Sequence, residues 1–297
     1  MPFLELHLDL SGLDTEEVES ACFSCGALSI TLVDAADTPI LEPLPGTTPL
    51  WPSIRLSALY PEDTDENELA EALRELLGQT DLNLSYRRVE DRVWEREWLK
   101  DFKPQQHGQR LWICPGGQPP PTPDSQGPAP VIVWLDPGLA FGTGTHPTTA
   151  LCLEWLDQTS MTHARVLDVG CGSGILSVAA LKLGAQSAVG IDIDPQALLA
   201  SRENAERNEV AEHLTVQPAE AAWGDGYDIV VANILAEPLV QLAENIALAI
   251  RPGGGLVLSG LLIDQAATVA ASYAPWFDLE PTRIRGDWAA LAGRRKH

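Results

Sequence analysis

Three glycines, an aspartate, an asparagine and a threonine are the residues here whose types and spacing suit chemistry. From Val166 to Leu176 the chain reads V-L-D-V-G-C-G-S-G-I-L, and further on G-I-D-I-D-P (190–195). Val166, Leu167 and Val169 are β-formers in a short apolar run, as a strand buried on both faces requires. Gly170, Gly172 and Gly174 follow at once, then a helical pattern of Ile175, Leu176, Val178, Ala179 and Leu181. Glycines at such a turn let the backbone pass close to a ligand where a Cβ would collide. A second apolar strand, Ser187 to Ile191, ends on Asp192, and an acid at that strand tip can accept hydrogen bonds from both hydroxyls of a ribose. The glycine spacing is G-x-G-x-G. It lacks the G-x-G-x-x-G register that seats a pyrophosphate on a helix N-terminus. That favours a nucleoside without phosphates, S-adenosyl-L-methionine being the obvious one.

Three further segments are expected at the carboxyl ends of the same strands, where open α/β sheets bind ligands. The first, Asp136 to Thr149, carries Gly138, Gly142 and Gly144 ahead of H-P-T-T, which opens a helix through Leu153 and Leu156. It reads as a lid over the cofactor, with Thr149 reaching it through a hydroxyl; the plainer alternative is a helix entry. In the second, D-I-V-V-A-N-I-L-A-E (228–237), a buried strand ends on Asn233. Its amide can accept from an incoming amine while its NH₂ contacts the cofactor, although strand-terminal Asn also serves as a turn former. The third, Gln217 to Ala221, lies where adenine contacts would fall, and no ligand residue stands out there.

These motifs need a parallel sheet to position them. From Arg165 onward Val166, Val189, Leu214, Ile229 and Leu256 each seed a strand, with helical patterns between, which implies helices on both faces. Trp276–Ile284 and Asp287–Ala292 read as a final hairpin. The first ninety residues read β-α-β-β-α-β, the ferredoxin-like order. Phe3–Leu10 alternates apolar and polar side chains. Asp14 and Glu17 form a capping box for the helix that follows. Leu28–Val33 and Ile54–Tyr60 are strands, Thr64–Leu77 is a helix with Leu69, Leu73, Leu76 and Leu77 on one face, and Leu82–Arg88 closes the unit. The division expected is 1–91, 92–105 and 106–297: an acidic ferredoxin-like domain, a connecting helix with Trp94 and Trp98 on one face, and a Rossmann-like α/β domain. The proline-rich stretch Pro115–Pro130 is an exposed insertion, and Leu111–Ile113 and Val131–Leu135 at its ends could pair as strands.

Composition narrows the field. With 297 residues, 45% of them hydrophobic and 21% charged, the chain is globular with room for two domains. No apolar run is long enough for a membrane span, and the N-terminus with Glu5 and Asp9 is unlike a secretory signal. Five cysteines without a regular framework suit a reducing cytoplasm. Cys22 and Cys25 form a C-x-x-C that reads as helix-end packing, since no second pair or His cluster accompanies it; no metal is expected. Residues 1–91 hold 19 acids against 4 bases, so most of the net charge of −23 sits there. Such a surface repels nucleic acid and attracts a basic partner, or simply keeps the protein soluble. Nothing demands more than a monomer.

The strings F-G-T-G-T-H-P-T-T (141–149), V-L-D-V-G-C-G-S-G (166–174), G-I-D-I-D-P (190–195) and V-A-N-I-L-A (231–236) resemble the ribosomal protein L-eleven (L11) methyltransferase family. So do W-E-R-E-W-L-K-D-F-K-P (94–104) and R-L-W-I-C-P (110–115), and the match covers nearly the whole chain. The glycine turn is common to class I methyltransferases, whereas the F-G-T-G-T-H-P-T-T loop combined with N-I-L-A is far more specific. The resemblance implies S-adenosyl-L-methionine as methyl donor, cofactor contacts at Thr149, Gly170, Asp192 and Asn233, and Asn233 aiming the substrate amine. It implies several amines of the ribosomal protein, lysines and the N-terminal amine, methylated repeatedly. The N-terminal domain would hold that protein while the linker lets it reorient over the active site. No strong general base is evident in the motifs, so the amine is expected to lose its proton to water. Another basic protein or a small amine remains an alternative substrate. A non-catalytic binding module and a nicotinamide dehydrogenase fit the motifs less well.

Overall fold

The computed structural model describes residues 2–10, 12–36, 38, 40, 49–89, 103–121, 128–135 and 144–297. The chain divides into two compact units, Met1–Glu97 and Trp98–His297. The expected connecting helix with Trp94 and Trp98 falls outside the described residues, as do 122–127 of the proline-rich insertion and 136–143 of the glycine-rich loop.

The first unit is a four-stranded antiparallel sheet with two helices. Its elements are β1 (Phe3–Asp9), α1 (Thr15–Ser24), β2 (Ser29–Asp34), β3 (Ile54–Pro61), α2 (Glu66–Leu77) and β4 (Leu84–Val89), in the strand order β2-β3-β1-β4. The alternation in β1 does what a period of two requires: Leu4, Leu6 and Leu8 are buried while Glu5, His7 and Asp9 face the other way. Asp14 caps α1 by accepting from the Glu17 N–H at 3.0 Å. The second helix starts later than the expected Thr64, because the Asp65 carboxylate accepts from the Asn67 and Glu68 N–H groups and fixes the N-terminus there. Leu69 and Leu73 are buried on its core face with Ala70, and Leu77 packs against them, but Leu76 is 56% exposed. The leucine run 73, 76, 77 is wider than the stripe the sheet can cover, so its outer member is left in water.

The second unit is built on an eight-stranded sheet. Its strands are β8 (Arg165–Val169), β9 (Ser187–Asp192), β10 (Leu214–Pro218), β11 (Tyr227–Asn233), β12 (Ile250–Leu262), β13 (Phe277–Leu279), β14 (Arg283–Arg285) and β15 (Trp288–Arg295). The order is β10-β9-β8-β11-β12-β15-β13, with β14 also paired to β15. Strands β8 to β12 are mutually parallel and β15 runs antiparallel to β12. The expected hairpin is therefore subtler than two arms: its first arm breaks into β13 and β14, and both pair with β15. Helices α3 (Pro147–Gln158), α4 (Ile175–Lys182) and α5 (Pro195–Arg207) are followed by α6 (Ala236–Gln241), α7 (Ala243–Ala249) and α8 (Ala266–Tyr273). Two apolar cores result. One joins α3 and α4 to the sheet through Leu153, Leu156, Val178 and Val231; the other joins α6, α7 and α8 through Leu239, Ile246, Val269 and Leu258. This is the Rossmann-like architecture expected. Among the described residues no helix is long and apolar enough to cross a membrane.

A small sheet of β5 (Gln105–His107), β6 (Leu111–Pro115) and β7 (Val131–Leu135) accompanies it, with β6 and β7 parallel. Parallel pairing needs a long return path, which the proline-rich insertion supplies.

The exposure of Leu76 gives a direct test of the α2 face. Leu73→Ala should destabilise the first unit by about 2–5 kcal/mol, the range for emptying a packed leucine site. Leu76→Ala should stay within about 0.5 kcal/mol of the parent. Urea unfolding midpoints measure both, and equal losses would place Leu76 in the core.

Candidate active site

Between β8 and β11 the strand order reverses, and the crevice at such a reversal is where doubly wound sheets hold ligands. The glycine turn leaves β8 into it. Gly170, Gly172 and Gly174 have φ of 76°, 54° and 75°, the left-handed region that side chains disfavour. The Gly170 and Cys171 N–H groups both donate to the Ile191 carbonyl, at 2.8 and 3.0 Å, so the turn is tied to the end of β9. A Cβ on Gly170 would collide with Cγ2 of Ile234, just beyond β11. The bare backbone there is a steric requirement.

Helix α5 holds the turn from behind with buried polar groups. Ser201 Oγ donates to the Gly172 carbonyl at 2.9 Å and Asn204 Nδ2 to the Ser173 carbonyl at 2.9 Å. One turn on, the Asn208 amide brackets Trp134 of β7, accepting from its N–H and donating to its carbonyl, each at 2.7 Å. None of these three stands out in the sequence. They are polar residues on a helix whose apolar periodicity says only which face is inward, and their buried hydrogen bonds become visible in three dimensions alone.

Asp192 closes β9. One carboxylate oxygen accepts from the Gly172 N–H at 2.9 Å and the other from the Asp194 N–H at 3.0 Å. A carboxylate has room for about four donors, so this half-buried group is oriented by the backbone with acceptor capacity to spare. Its backbone carbonyl also accepts from the Ala219 N–H at 3.0 Å, which brings the Gln217–Ala221 segment alongside.

Asp168 lies one step deeper, fully buried. Its Oδ2 accepts from Ser177 N–H at 3.0 Å and Ser177 Oγ at 2.7 Å, while Oδ1 has no partner among the described residues. Burial pushes its pKa up to about 6, the Ser177 hydrogen bonds oppose that rise, and the charge on Asp192 adds to it. The motif V-L-D-V-G contains this residue, yet nothing in its spacing separates a buried carboxylate from a surface one.

Asn233 ends β11, beside Ser259 of β12. Its Nδ2 donates to Thr149 Oγ1 at 3.1 Å, joining two residues 84 positions apart. Thr149 is buried in the first turn of α3, whose N-cap is His146. The glycine-rich approach to this helix lies outside the described residues up to Gly144, which has φ of 83° and sits over Ile175 and Ile113. Thr149, Gly170, Asp192 and Asn233 thus all stand at the carboxyl edge of the sheet on either side of the strand reversal. Elsewhere, burial pushes the thiol of Cys22 up and Cys25 caps the end of α1, and no metal-binding cluster occurs among the described residues.

Asp168 makes stability depend on pH in a defined direction. A carboxylate whose pKa is raised in the folded state favours folding when protonated; that advantage is present below about pH 4 and lost as pH rises through about 6. Replacing Asp168 by Asn should remove this dependence, so that the variant gains on the parent by on the order of 3 kcal/mol between pH 4 and 7. Parallel stability curves for the two proteins would mean that Asp168 does not titrate in this window.

A family model described as ribosomal protein L11 methyltransferase matches residues 2–296. The ribosomal protein L11 methyltransferase of Ectopseudomonas mendocina (strain ymp) is 50% identical over 298 residues, covering 100% of both chains. That of Actinobacillus pleuropneumoniae serotype 5b (strain L20) is 48% identical with the same coverage. Among solved structures, a ribosomal protein L11 methylase from Lactobacillus delbrueckii subsp. bulgaricus superposes with a TM-score of 0.59 at 33% identity, covering 66% of this chain and 100% of that one. With a family model spanning almost every residue and relatives matched end to end at half identity, this chain belongs to the ribosomal protein L11 methyltransferase family.

Proposed function

We propose that this protein methylates ribosomal protein L11 of the large subunit on amino groups, lysine side chains and the N-terminal amine, using S-adenosyl-L-methionine. The observation that carries the reading is the hydrogen bond between Asn233 and Thr149, made at the strand reversal beside the glycine turn at 170–174. The donor fits the residues present. Ile234 excludes a Cβ at Gly170, so the turn presents bare backbone to the crevice, and Asp192 presents acceptor capacity suited to two ribose hydroxyls. On this reading Thr149, Gly170, Asp192 and Asn233 would hold the donor, which would supply a methyl group from a sulfonium sulfur that leaves as a neutral thioether. Asn233 also orients the amine: its Oδ1 is an acceptor, and its Nδ2 is already engaged with Thr149.

Neither Thr149 nor Asn233 is a base. A lysine near pKa 10.4 is only about 0.1% neutral at pH 7.4, a handicap of roughly 4 kcal/mol, so proton loss goes to water and is helped by desolvation in the crevice. What the residues contribute is placement, which can be worth about 7–11 kcal/mol.

The division of labour we propose assigns residues 1–91 to recognition of the ribosomal protein, 92–105 to the connection, and 106–297 to catalysis. The excess of acids in 1–91 supports that assignment and opposes direct nucleic-acid binding, and a ribosomal-protein substrate supports a cytoplasmic reaction.

The test is the intact mass of unmethylated L11 after incubation with the enzyme and S-adenosyl-L-methionine, which should rise in single-methyl steps. Deleting residues 1–91 should abolish that rise. An unshifted mass with the intact enzyme would discard the substrate, and an undiminished rise after the deletion would remove residues 1–91 from recognition of L11. A second expected outcome concerns Asp192. Asp192→Ala should raise the Michaelis constant for the methyl donor at least tenfold, the loss of about 1.4 kcal/mol of hydrogen bonding to a charged group, with the fold intact by circular dichroism. Unchanged donor affinity would remove Asp192 from the site.

A further inference from the structure

An α-helix needs an acceptor at its N-terminus, and α3 takes one from an uncommon source. Ser, Thr, Asp and Asn are the residues that ordinarily cap helices. Here the imidazole of His146 does so: Nδ1 accepts from the Thr148 N–H at 3.4 Å and lies 2.7 Å from Thr148 Oγ1. With Nδ1 as acceptor the proton of the neutral ring sits on Nε2, and burial favours that neutral form by pushing the His146 pKa down. The same ring stands edge-on to Trp288, the first residue of β15, with centroids 4.7 Å apart and planes at 72°. Such edge-to-face contacts are favourable in their own right. An asparagine would cap as well, but it could not make this second contact.

The consequence falls on Thr149. Counting from the cap, Pro147 is N1, Thr148 N2 and Thr149 N3. In a capping box the N3 side chain turns back to the cap residue. The Thr149 hydroxyl instead faces across to β11 and accepts from Asn233. Its position is therefore set by how the first turn of α3 is anchored, and His146 anchors that turn twice.

We infer that His146 is a positioning residue for the transfer: its Nδ1 cap and its edge contact with Trp288 together fix the first turn of α3 so that Thr149 meets Asn233. The inference rests on the proposed reading that the Thr149–Asn233 pair lies at the reacting centre. His146 acts through Thr149 and has no contact with the reacting atoms.

Three replacements separate its two contacts in the full-length protein. His146→Asn keeps an acceptor and loses the ring, His146→Phe keeps a ring and loses the acceptor, and His146→Ala loses both. Methylation of L11 at saturating S-adenosyl-L-methionine should show the Ala variant reduced roughly tenfold or more in kcat, as slight misplacement of reacting groups costs. Its KM for L11 should stay within about twofold of the parent, since His146 lies outside the proposed recognition domain. Asn and Phe should each recover part of that loss. Should the Ala variant fail to fold, Trp288→Leu, which leaves the cap in place, should lower kcat by the smaller amount expected of His146→Asn, without a change in KM. An unchanged kcat there would overturn the inference. The inference is overturned if the Ala variant keeps its kcat, if its defect appears in KM for L11 alone, or if neither Asn nor Phe recovers any rate. A wild-type enzyme that leaves L11 unmethylated would instead remove the functional reading itself, so the two failures are distinguishable.

Discussion

In a doubly wound sheet a ligand crevice forms only where neighbouring strands send their helices to opposite faces, and that constraint ties β8 to β11 here. The glycine turn must leave β8 toward one side while Asn233 emerges from β11 beside it. The pairing register of the two strands, Val169 opposite Ala232, sets both ends at one level. A shift of one residue would turn Asn233 to the other face of the sheet. The hydrogen bond to Thr149 could not then form, and neither could the close passage of Gly170 over Ile234. Strand register, more than any individual side chain, determines whether this site exists.

Holding the turn in place brings unfavourable terms that the rest of the domain offsets. Asp168 is a buried carboxylate with one oxygen unpartnered among the described residues, a situation that penalises its charged form. Ser177 compensates in part, and through it Asp168 fastens the first turn of α4 to the end of β8. On the far side of the turn, Ser201 and Asn204 satisfy carbonyls that the left-handed glycines direct away from any strand. The apolar cores on both faces of the sheet are extensive, and they are what allows a cluster of polar groups to remain buried between them.

Much of this was legible in the sequence, and the parts that were not share a physical cause. Apolar periodicity reports which side of an element faces inward, so it revealed every strand of the parallel sheet and the alternation in β1. It does not report how wide a face its neighbours can cover, which is why Leu76 reads as core and lies in solvent. Pairing partners are a property of space, so the parallel alignment of β6 with β7 and the splitting of the last hairpin's first arm into β13 and β14 had no sequence signature. At the site, glycines and strand-terminal polar residues announce themselves by type and position. Asp168, Asn204 and Asn208 do not, because their roles depend on being buried against backbone groups from distant segments.

The acidity of the first unit divides in a way that bears on its proposed role. Asp14 and Asp65 are helix caps, and Glu16, Glu17, Glu66 and Glu68 occupy first turns, where negative charge complements the helix dipole. Glu5 accepts from Ser57 and Arg87, and Asp9 pairs with Arg55, across the sheet face. Glu62, Asp63, Glu71 and Glu75 are exposed and serve none of these local purposes. Charges of that kind act over about 8–10 Å at ordinary salt and raise encounter rates more than they fix a docked pose. On the proposed reading, the field of this unit would draw a basic protein near in many orientations. It would not choose among that protein's amines. On that same reading the choice would fall to the crevice at the strand reversal, where Asn233, its Nδ2 tied to Thr149, would orient the incoming amine through Oδ1.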